Sequence, residues 1–134
     1  MADTLATRRA NNDILLLIGR ILAASIFLIA GIGKLMNVQE PAGAIESVGL
    51  PYPLVLAWAT AICETVGGLL LLIGFMTRPV AVLLALFCLF SGYLFHFDPA
   101  VTEQMQNFMK NVALAGGYLA FAAVGAGRYS LDRG

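Results

Sequence analysis

Glu64 is the side chain whose position in this sequence most needs a chemical explanation. It is the one charged residue in an apolar stretch of about 23 residues, 54–76, which as a helix is roughly 34 Å long and crosses a bilayer. A carboxylate near the bilayer centre is costly, so it faces the interior of a helix bundle and has a cationic partner or carries a proton. Glu64 is therefore a candidate for an ion pair or a proton-handling site.

Arg20 is the leading candidate for the partner of Glu64. Counted from the same side of the membrane, Arg20 lies roughly 9 Å deep in its span and Glu64 roughly 18 Å deep. Extended side chains bridge the offset of about 9 Å if the two helices are neighbours, so we expect a Glu64–Arg20 ion pair. Two alternatives stay open: the pair only fixes helix register and packing, or Glu64 is unpaired and protonated.

A second group of polar side chains gathers at the opposite ends of the predicted spans. Its basic, amide and acidic members are Lys34, His96, Lys110, Asn111, Asp98 and Glu103. With Glu64 beneath them, they predict a polar cavity that suits a quinone head group, an oxyanion or a proton path. The alternative is that the lysines extend to the interface, as lysines near helix ends do, and that the histidine lies there too.

These two groups supply the candidate site residues. The candidate catalytic residues are Glu64, Arg20 and His96, and the candidate ligands of a substrate or quinone are Lys34, Lys110 and Asn111. No metal site is predicted, because the two cysteines form no CxxC pattern and lie in no Cys/His cluster. One histidine cannot supply bis-histidine haem ligation, and two cysteines are too few for a four-thiolate cluster. Any redox centre is therefore a bound organic molecule or belongs to a partner.

The elements that must position these residues are membrane helices. The chain has 134 residues, of which 60% are hydrophobic and 12% charged, and its mean hydropathy is +0.85, unlike soluble domains. We predict an all-α integral membrane four-helix bundle, a single domain 14–127 between polar tails 1–13 and 128–134. The predicted spans are 14–35, 54–76, 79–97 and 108–127. The connection 36–53 holds a short interfacial helix or a surface loop.

Small and polar residues recur at steps of three and four in the first three spans, which places them on one face of each helix. These faces are Arg20, Ala24, Phe27, Gly31 and Lys34; Thr60, Glu64, Gly67, Leu71 and Gly74; and Ala81, Ala85, Cys88, Gly92 and His96. Glu64 must face the bundle interior, and Gly67 and Gly74 would allow a neighbouring backbone to come close to the helix beside it. The sequence Gly125-x-Gly127 resembles part of a phosphate-binding loop only superficially, because no strand precedes it and no helix follows it. We interpret it as a helix stop.

The distribution of basic residues predicts the orientation in the membrane. One side collects Arg8, Arg9, Arg78, Arg128 and Arg133, while the other has Lys34 and Lys110. The positive-inside rule then places both termini of this multi-pass membrane protein in the cytoplasm. The net charge is zero and there is no basic run, so no nucleic-acid partner is expected. The bilayer is the expected partner, and a homo-oligomer is consistent with so small a bundle.

The arrangement of these residues along the chain resembles the DoxX family. The resemblance rests on Arg20, Phe27, Gly31, Gly33-Lys34-Leu35, Glu64, Gly67-Gly68, Gly74, Arg78, His96, Phe108, Lys110-Asn111, Gly116-Gly117 and the ending Gly125-x-Gly127-x-x-Ser130-Leu131-Asp132. It implies a four-helix inner-membrane protein related to the small membrane subunit of a thiosulfate:quinone oxidoreductase. It also implies partners that transfer sulfur or detoxify superoxide. The proline often found between the last two glycines of the family is Ala126 here.

Three functions are consistent with these features. In the first, the protein is the membrane subunit of a quinone-linked redox or sulfur and oxidative-stress system, and a soluble partner delivers the electrons. In the second, it is a small oligomeric transporter with Glu64 as the coupling site, although the spans lack interior proline and no discontinuous helix is predicted. In the third, it is a structural or assembly component of a membrane complex.

Overall fold

The chain is a bundle of long helices. A computed structural model describes residues 1–133, which form five α-helices and contain no β-strand. The helices are α1 Ala2–Met36, α2 Gln39–Ser47, α3 Pro53–Ile73, α4 Thr77–His96 and α5 Thr102–Val124. The four long helices run alternately up and down and pack as a four-helix bundle, which confirms the predicted fold class.

Helix α1 is longer than the first predicted span. It begins at Ala2, whereas the sequence predicted a polar tail through residue 13. The segment 2–13 lacks glycine and proline and contains alanine, leucine and arginine, all good helix formers. The tail is therefore an exposed helical extension of the first span.

The other long helices agree with the predicted spans to within a few residues, except that α5 begins at Thr102 instead of residue 108. Helices α3 and α5 end at Gly74 and Gly125, which have φ values of 69° and 88°. Glycine adopts this left-handed region without a Cβ penalty, so it stops a helix well. The helix stop predicted at Gly125 is thus confirmed.

Three of the four long helices, α1, α3 and α4, are long and apolar enough to cross a membrane. Helix α5 is longer than α3 and α4, but Lys110, Asn111 and Tyr118 make it more polar. It packs mainly against α4, and Tyr118 reaches α1, where its hydroxyl donates to the carbonyl of Ala23. That α5 also crosses the bilayer stays a prediction.

The connection between the first two spans contains a helix and is not a plain surface loop; that this helix lies in the membrane interface stays a prediction. Helix α2 buries Ala42 and Ile45 against Ala57 near the start of α3. This small cluster fixes α2 across one end of the bundle.

The core is built from the three predicted helix faces and from α5. Every apolar or small residue of those faces is buried, as are Arg20 and Glu64. At the centre, the ring of Phe27 lies 5.7 Å from that of Phe87 and 5.4 Å from that of Tyr118, measured between centroids. The three faces that the helical period groups are thus the faces that the bundle buries.

Glycines set the distance and register between α1 and α3. A Cβ on Gly31 would lie 2.6 Å from the amide nitrogen of Thr65, and one on Gly68 would lie 3.0 Å from Cγ of Leu28. The pairs 31–65 and 28–68 define an antiparallel register in which residue 32 is level with Glu64. Small residues that let backbones approach closely are typical of membrane helix pairs.

Both termini lie at the same end of the bundle, because the C-terminal segment packs against the start of α1 and the end of α3. The amide of Arg128 donates to Asp13 Oδ1 at 3.0 Å. The amides of Leu131 and Asp132 donate to the carbonyls of Ile73 and Gly74 at 3.1 and 2.9 Å. The tail predicted at 128–134 is therefore docked through residue 132. That this end faces the cytoplasm stays a prediction.

Candidate functional site

Glu64 forms an ion pair with Lys34. The ammonium Nζ lies 2.8 Å from Oε1 and 2.7 Å from Oε2 of the carboxylate. The Glu64 side chain is 5% exposed and that of Lys34 is 29% exposed. The carboxylate is thus held inside the bundle, while the lysine connects it to the bundle surface.

The predicted Glu64–Arg20 ion pair is wrong, and the helix register gives the reason. In the register of α1 and α3, Arg20 lies about 12 residues, or roughly 18 Å, from the level of Glu64. Lys34 lies about two residues from that level, or roughly 3 Å. The depth estimate failed because it took both spans to begin at the same membrane surface, whereas α1 extends well beyond the end of α3.

Two features of α1 and α3 hold the pair together. Gly31, one turn before Lys34, lets the two backbones approach, because its missing side chain leaves room for Thr65. The hydroxyl of Thr65 donates to the carbonyl of Ala61 at 2.8 Å, so it does not compete for the carboxylate of Glu64. Lys34 is the only cation within 4.0 Å of Glu64 in the described part of the chain.

On its other side Glu64 faces the apolar core. Gly67, one turn further along α3, packs against Leu84 of α4, which places Cys88 near the level of Glu64. Cys88 and Ala115 are both buried there. A charge pair in such a medium interacts far more strongly than in water, so any ligand that reaches it meets a strong local field.

Arg20 occupies a different site, at the end of the bundle that holds the termini. Its Nε donates to the carbonyl of Ala126 at 3.0 Å, and Nη2 donates to that of Tyr129. Its Nη1 donates to the carbonyls of Leu72 and Leu71 at 2.7 and 3.3 Å. Those two residues belong to the last turn of α3, where carbonyls run out of helical donors; the carbonyl of Leu71 also accepts from the amide of Gly74 at 3.2 Å. Arg20 therefore caps α3 and ties the C-terminal segment to it.

Arg78 caps α5 in the same way. Its Nη1 donates to the carbonyl of Ala122 at 3.0 Å and to that of Ala123, both in the last turn of α5. A cation at a helix C-terminus is stabilised by the helix dipole. Arg20 on α1 caps α3, and Arg78 on α4 caps α5, so each long antiparallel pair carries one arginine cap.

Asp132 caps a helix, a role that was not predicted from the sequence, where this residue belongs only to the pattern shared with the DoxX family. Its Oδ1 accepts from the amide of Met76 at 2.9 Å, and its Oδ2 accepts from the amide of Thr77 at 2.8 Å. These amides begin α4 and lack helical acceptors. Desolvation alone raises the pKa of Asp132, but these hydrogen bonds and the charge of Arg20 outweigh it and bring the pKa below its ordinary value.

The predicted outer group is divided between several local contacts. His96 Nδ1 lies 2.9 Å from Gln104 Oε1. Asn111 packs against Gly92 and donates to the carbonyl of Asn107 at 3.0 Å. Lys110 is exposed on α5. A cavity that joins these residues to Glu64 therefore stays a prediction. Of the predicted outer group, Lys34 is the residue that contacts Glu64.

A metal centre would need several ligands close together. Within residues 1–133, no three histidine, cysteine, aspartate or glutamate side chains are grouped so that they could hold a metal ion. Cys63 and Cys88 are both free thiols.

The sequence was compared with known proteins. The profile of the DoxX family matches residues 15–97. The chain is 37% identical over 129 residues to Inner membrane protein YphA of Escherichia coli (strain K12), covering 92% of each chain. It is 38% identical over 124 residues to Inner membrane protein YqjF of the same organism, covering 90% of this chain and 92% of the relative. No solved structure matches.

Proposed function

Because this chain belongs to the DoxX family and is a multi-pass protein of the bacterial inner membrane, we propose that it is the membrane subunit of a quinone-linked redox system. In this proposal a soluble redox or sulfur-transfer partner supplies electrons, and this chain binds the quinone head group and handles its protons. The Lys34–Glu64 pair is the observation that carries the proposal.

The donor set of the pair fits a quinone head group. A quinone supplies two-electron chemistry when bound, and its reduction takes up two protons. Lys34 has an ammonium group that is partly exposed and held by Glu64, so it can donate a hydrogen bond to a carbonyl oxygen at the bundle surface. Glu64 holds Lys34 in place and accepts or returns a proton as the charge on the lysine changes.

His96 and Asn111 complete the proposed site on its outer side. His96 uses Nδ1 in its contact with Gln104, which leaves Nε2 for proton exchange with water. Asn111 lies against Gly92, one helical turn deeper on α4 than His96. We propose that protons enter beside His96 and that the amide of Asn111 helps to orient the head group. Arg20 has its donors occupied by carbonyls, so we assign it a structural role.

The proposed orientation follows from the basic residues. Arg20, Arg78 and Arg128 lie with the docked C-terminal segment at one end of the bundle. The positive-inside rule favours the cytoplasm for that end. The proposed quinone site then opens toward the outer leaflet, and the electrons of the partner reach it across the membrane or through a second subunit.

The test is quinone reduction by membranes that contain single variants. We expect Glu64→Gln and Lys34→Gln each to lower thiosulfate- or sulfide-dependent quinone reduction by about 100-fold, because each removes a proton-handling group. Glu40→Gln, which changes an exposed acid of α2, is the matched control and should retain the wild-type rate. Immunoblots verify equal amounts of protein in the membranes.

Two results would contradict the proposal. Wild-type rates in both variants, with every donor tried, would show that the pair does not handle quinone protons. A loss of protein or of complex yield, with normal turnover per assembled complex, would favour an assembly role instead.

A further inference from the structure

Lys110 is an exposed cation whose surroundings are not explained by the proposed quinone site. Within residues 1–133 no carboxylate lies within 4.0 Å of its ammonium group, and Glu103 of the same helix is not close enough to pair with it. Two open grooves on the surface of the bundle meet at Lys110. Neither groove is lined by Lys34 or Glu64, so this surface is separate from the ion pair.

The groove toward the start of α5, the outer groove, is lined by the apolar residues Met105, Met109 and Ala113 and by three residues with hydrogen-bond donors. Thr102, Gln106 and Lys110 line it at steps of four residues along α5, which places them on one face of the helix. A hydroxyl, an amide and an ammonium group can together bind the oxygens of a phosphate. Thr102 is also the first residue of α5, where the helix dipole favours an anion.

The inner groove continues from Lys110 along the seam between α1 and α5, and it is apolar. It is lined by Ala23, Ile26, Ala113, Leu114, Gly117 and Tyr118. The hydroxyl of Tyr118 donates to the carbonyl of Ala23 at 2.7 Å, so its polar atom is already satisfied. A Cβ on Gly117 would meet nothing within 4 Å, which leaves open space for a hydrocarbon chain.

The two grooves offer a site for each part of a phospholipid: donors at Lys110 for the phosphate, and apolar surface in the inner groove for a hydrocarbon chain. We propose that an anionic phospholipid binds along the outer half of α5, with its phosphate at Lys110 and an acyl chain in the seam between α1 and α5. The charge decides the ligand class, because an unpaired ammonium attracts a lipid of net negative charge more strongly than it attracts a neutral quinone or a zwitterionic lipid, whose own ammonium group offsets its phosphate.

Bound lipid would have a structural effect at this seam. Helices α1 and α5 pack much less closely than the pairs α1–α3 and α4–α5. An acyl chain that fills the inner groove adds dispersion contacts along both helices. A bound anionic lipid should therefore raise the thermal stability of the bundle.

Native mass spectrometry of the purified protein tests the proposal, with phosphatidylglycerol and phosphatidylcholine of identical acyl chains as probes. We expect the wild type to bind one phosphatidylglycerol more tightly than phosphatidylcholine. Lys110→Gln should weaken binding of phosphatidylglycerol roughly fivefold and leave phosphatidylcholine unchanged, because one basic residue near a membrane surface contributes about that much. Lys110→Arg should keep the preference.

Two adjacent glycines provide a matched control for the acyl chain. Gly116 and Gly117 both have open space where a Cβ would be placed, but only Gly117 lines the inner groove. Gly117→Leu should reduce phosphatidylglycerol binding and its stabilising effect, whereas Gly116→Leu should not. Equal binding of the two lipids by the wild type, an unaffected Lys110→Gln variant, or equal effects of the two leucine variants would each overturn the proposal.

Discussion

Helix α1 carries two buried or partly buried cations that are stabilised in opposite ways. Arg20 is fully buried, and its guanidinium is surrounded by backbone carbonyls of α3 and of the C-terminal segment. Lys34, roughly 21 Å further along the helix, has one partner, the carboxylate of Glu64, and its side chain is 29% exposed.

This difference distinguishes a charge held by backbone from a charge held by a side chain. The carbonyls around Arg20 cannot gain or lose a proton, and the guanidinium stays charged in proteins, so the site has one state. The Lys34–Glu64 contact joins two side chains of opposite charge, and a ligand that replaces one partner releases the other. A charge near a helix end that is satisfied by backbone fixes the fold, whereas the proposed function assigns exchange to the ion pair inside the bundle.

Removing the guanidinium should have the largest effect on stability. Arg20→Met removes the donors to the carbonyls of Leu72, Ala126 and Tyr129 and so weakens the docking of the C-terminal segment on α3. We expect it to lower the free energy of unfolding by about 3 kcal/mol or more. Unfolding in mixed detergent micelles, followed by circular dichroism, measures the change. Arg9→Met, in the exposed part of α1, is the control and should unfold like the wild type. Equal unfolding curves for Arg20→Met and Arg9→Met would show that the carbonyl contacts do not stabilise this end.

Separating α1 from α3 should destabilise the region of the Lys34–Glu64 ion pair. Gly31→Ala places a methyl group 2.6 Å from the backbone nitrogen of Thr65, so the helices must move apart near Lys34 and Glu64. We expect a loss of about 2 kcal/mol in the same unfolding assay, as for other overpacked cores. Gly33→Ala is the matched control, because its Cβ would meet nothing within 4 Å. If Gly33→Ala costs as much as Gly31→Ala, the loss does not come from the helix contact.

The sequence predicted the bundle and grouped the residues of its buried faces, because both depend on local patterns. Apolar length identifies the spans. Steps of three and four place Arg20, Phe27 and Gly31 on one helix face and Glu64 on another, and the bundle buries both faces. The pairing itself depends on register, which is fixed by the contact of Gly31 with Thr65 and not by the distance of each residue from its helix end.

The environment of Arg20 was harder to predict for a different reason. One of its acceptors, the carbonyl of Ala126, is 106 residues away in sequence, and a backbone carbonyl leaves no mark in the sequence. Side-chain patterns suggested a carboxylate partner for Arg20. Arg20 instead donates to backbone carbonyls, which every residue has, at the end of α3 and in the C-terminal segment.

The smallest effect should come from the last contact of that same end, the cap that Asp132 forms on α4. Asp132→Ala removes the acceptors of the Met76 and Thr77 amides and should cost about 1 kcal/mol near neutral pH. The pKa of Asp132 is lower in the folded protein than its ordinary value. The cap therefore makes its full contribution to the free energy of unfolding above the pKa that Asp132 has in the unfolded chain. That contribution disappears as the pH falls through the lower pKa that Asp132 has in the folded protein.

Unfolding curves recorded from neutral to acidic pH test this dependence. The difference between wild type and Asp132→Ala should be greatest at neutral pH and should vanish in acid, whereas the exposed Glu46→Ala variant should show no such trend. A difference that persists unchanged in acid would mean that Asp132 stabilises the end through packing instead of through its charge.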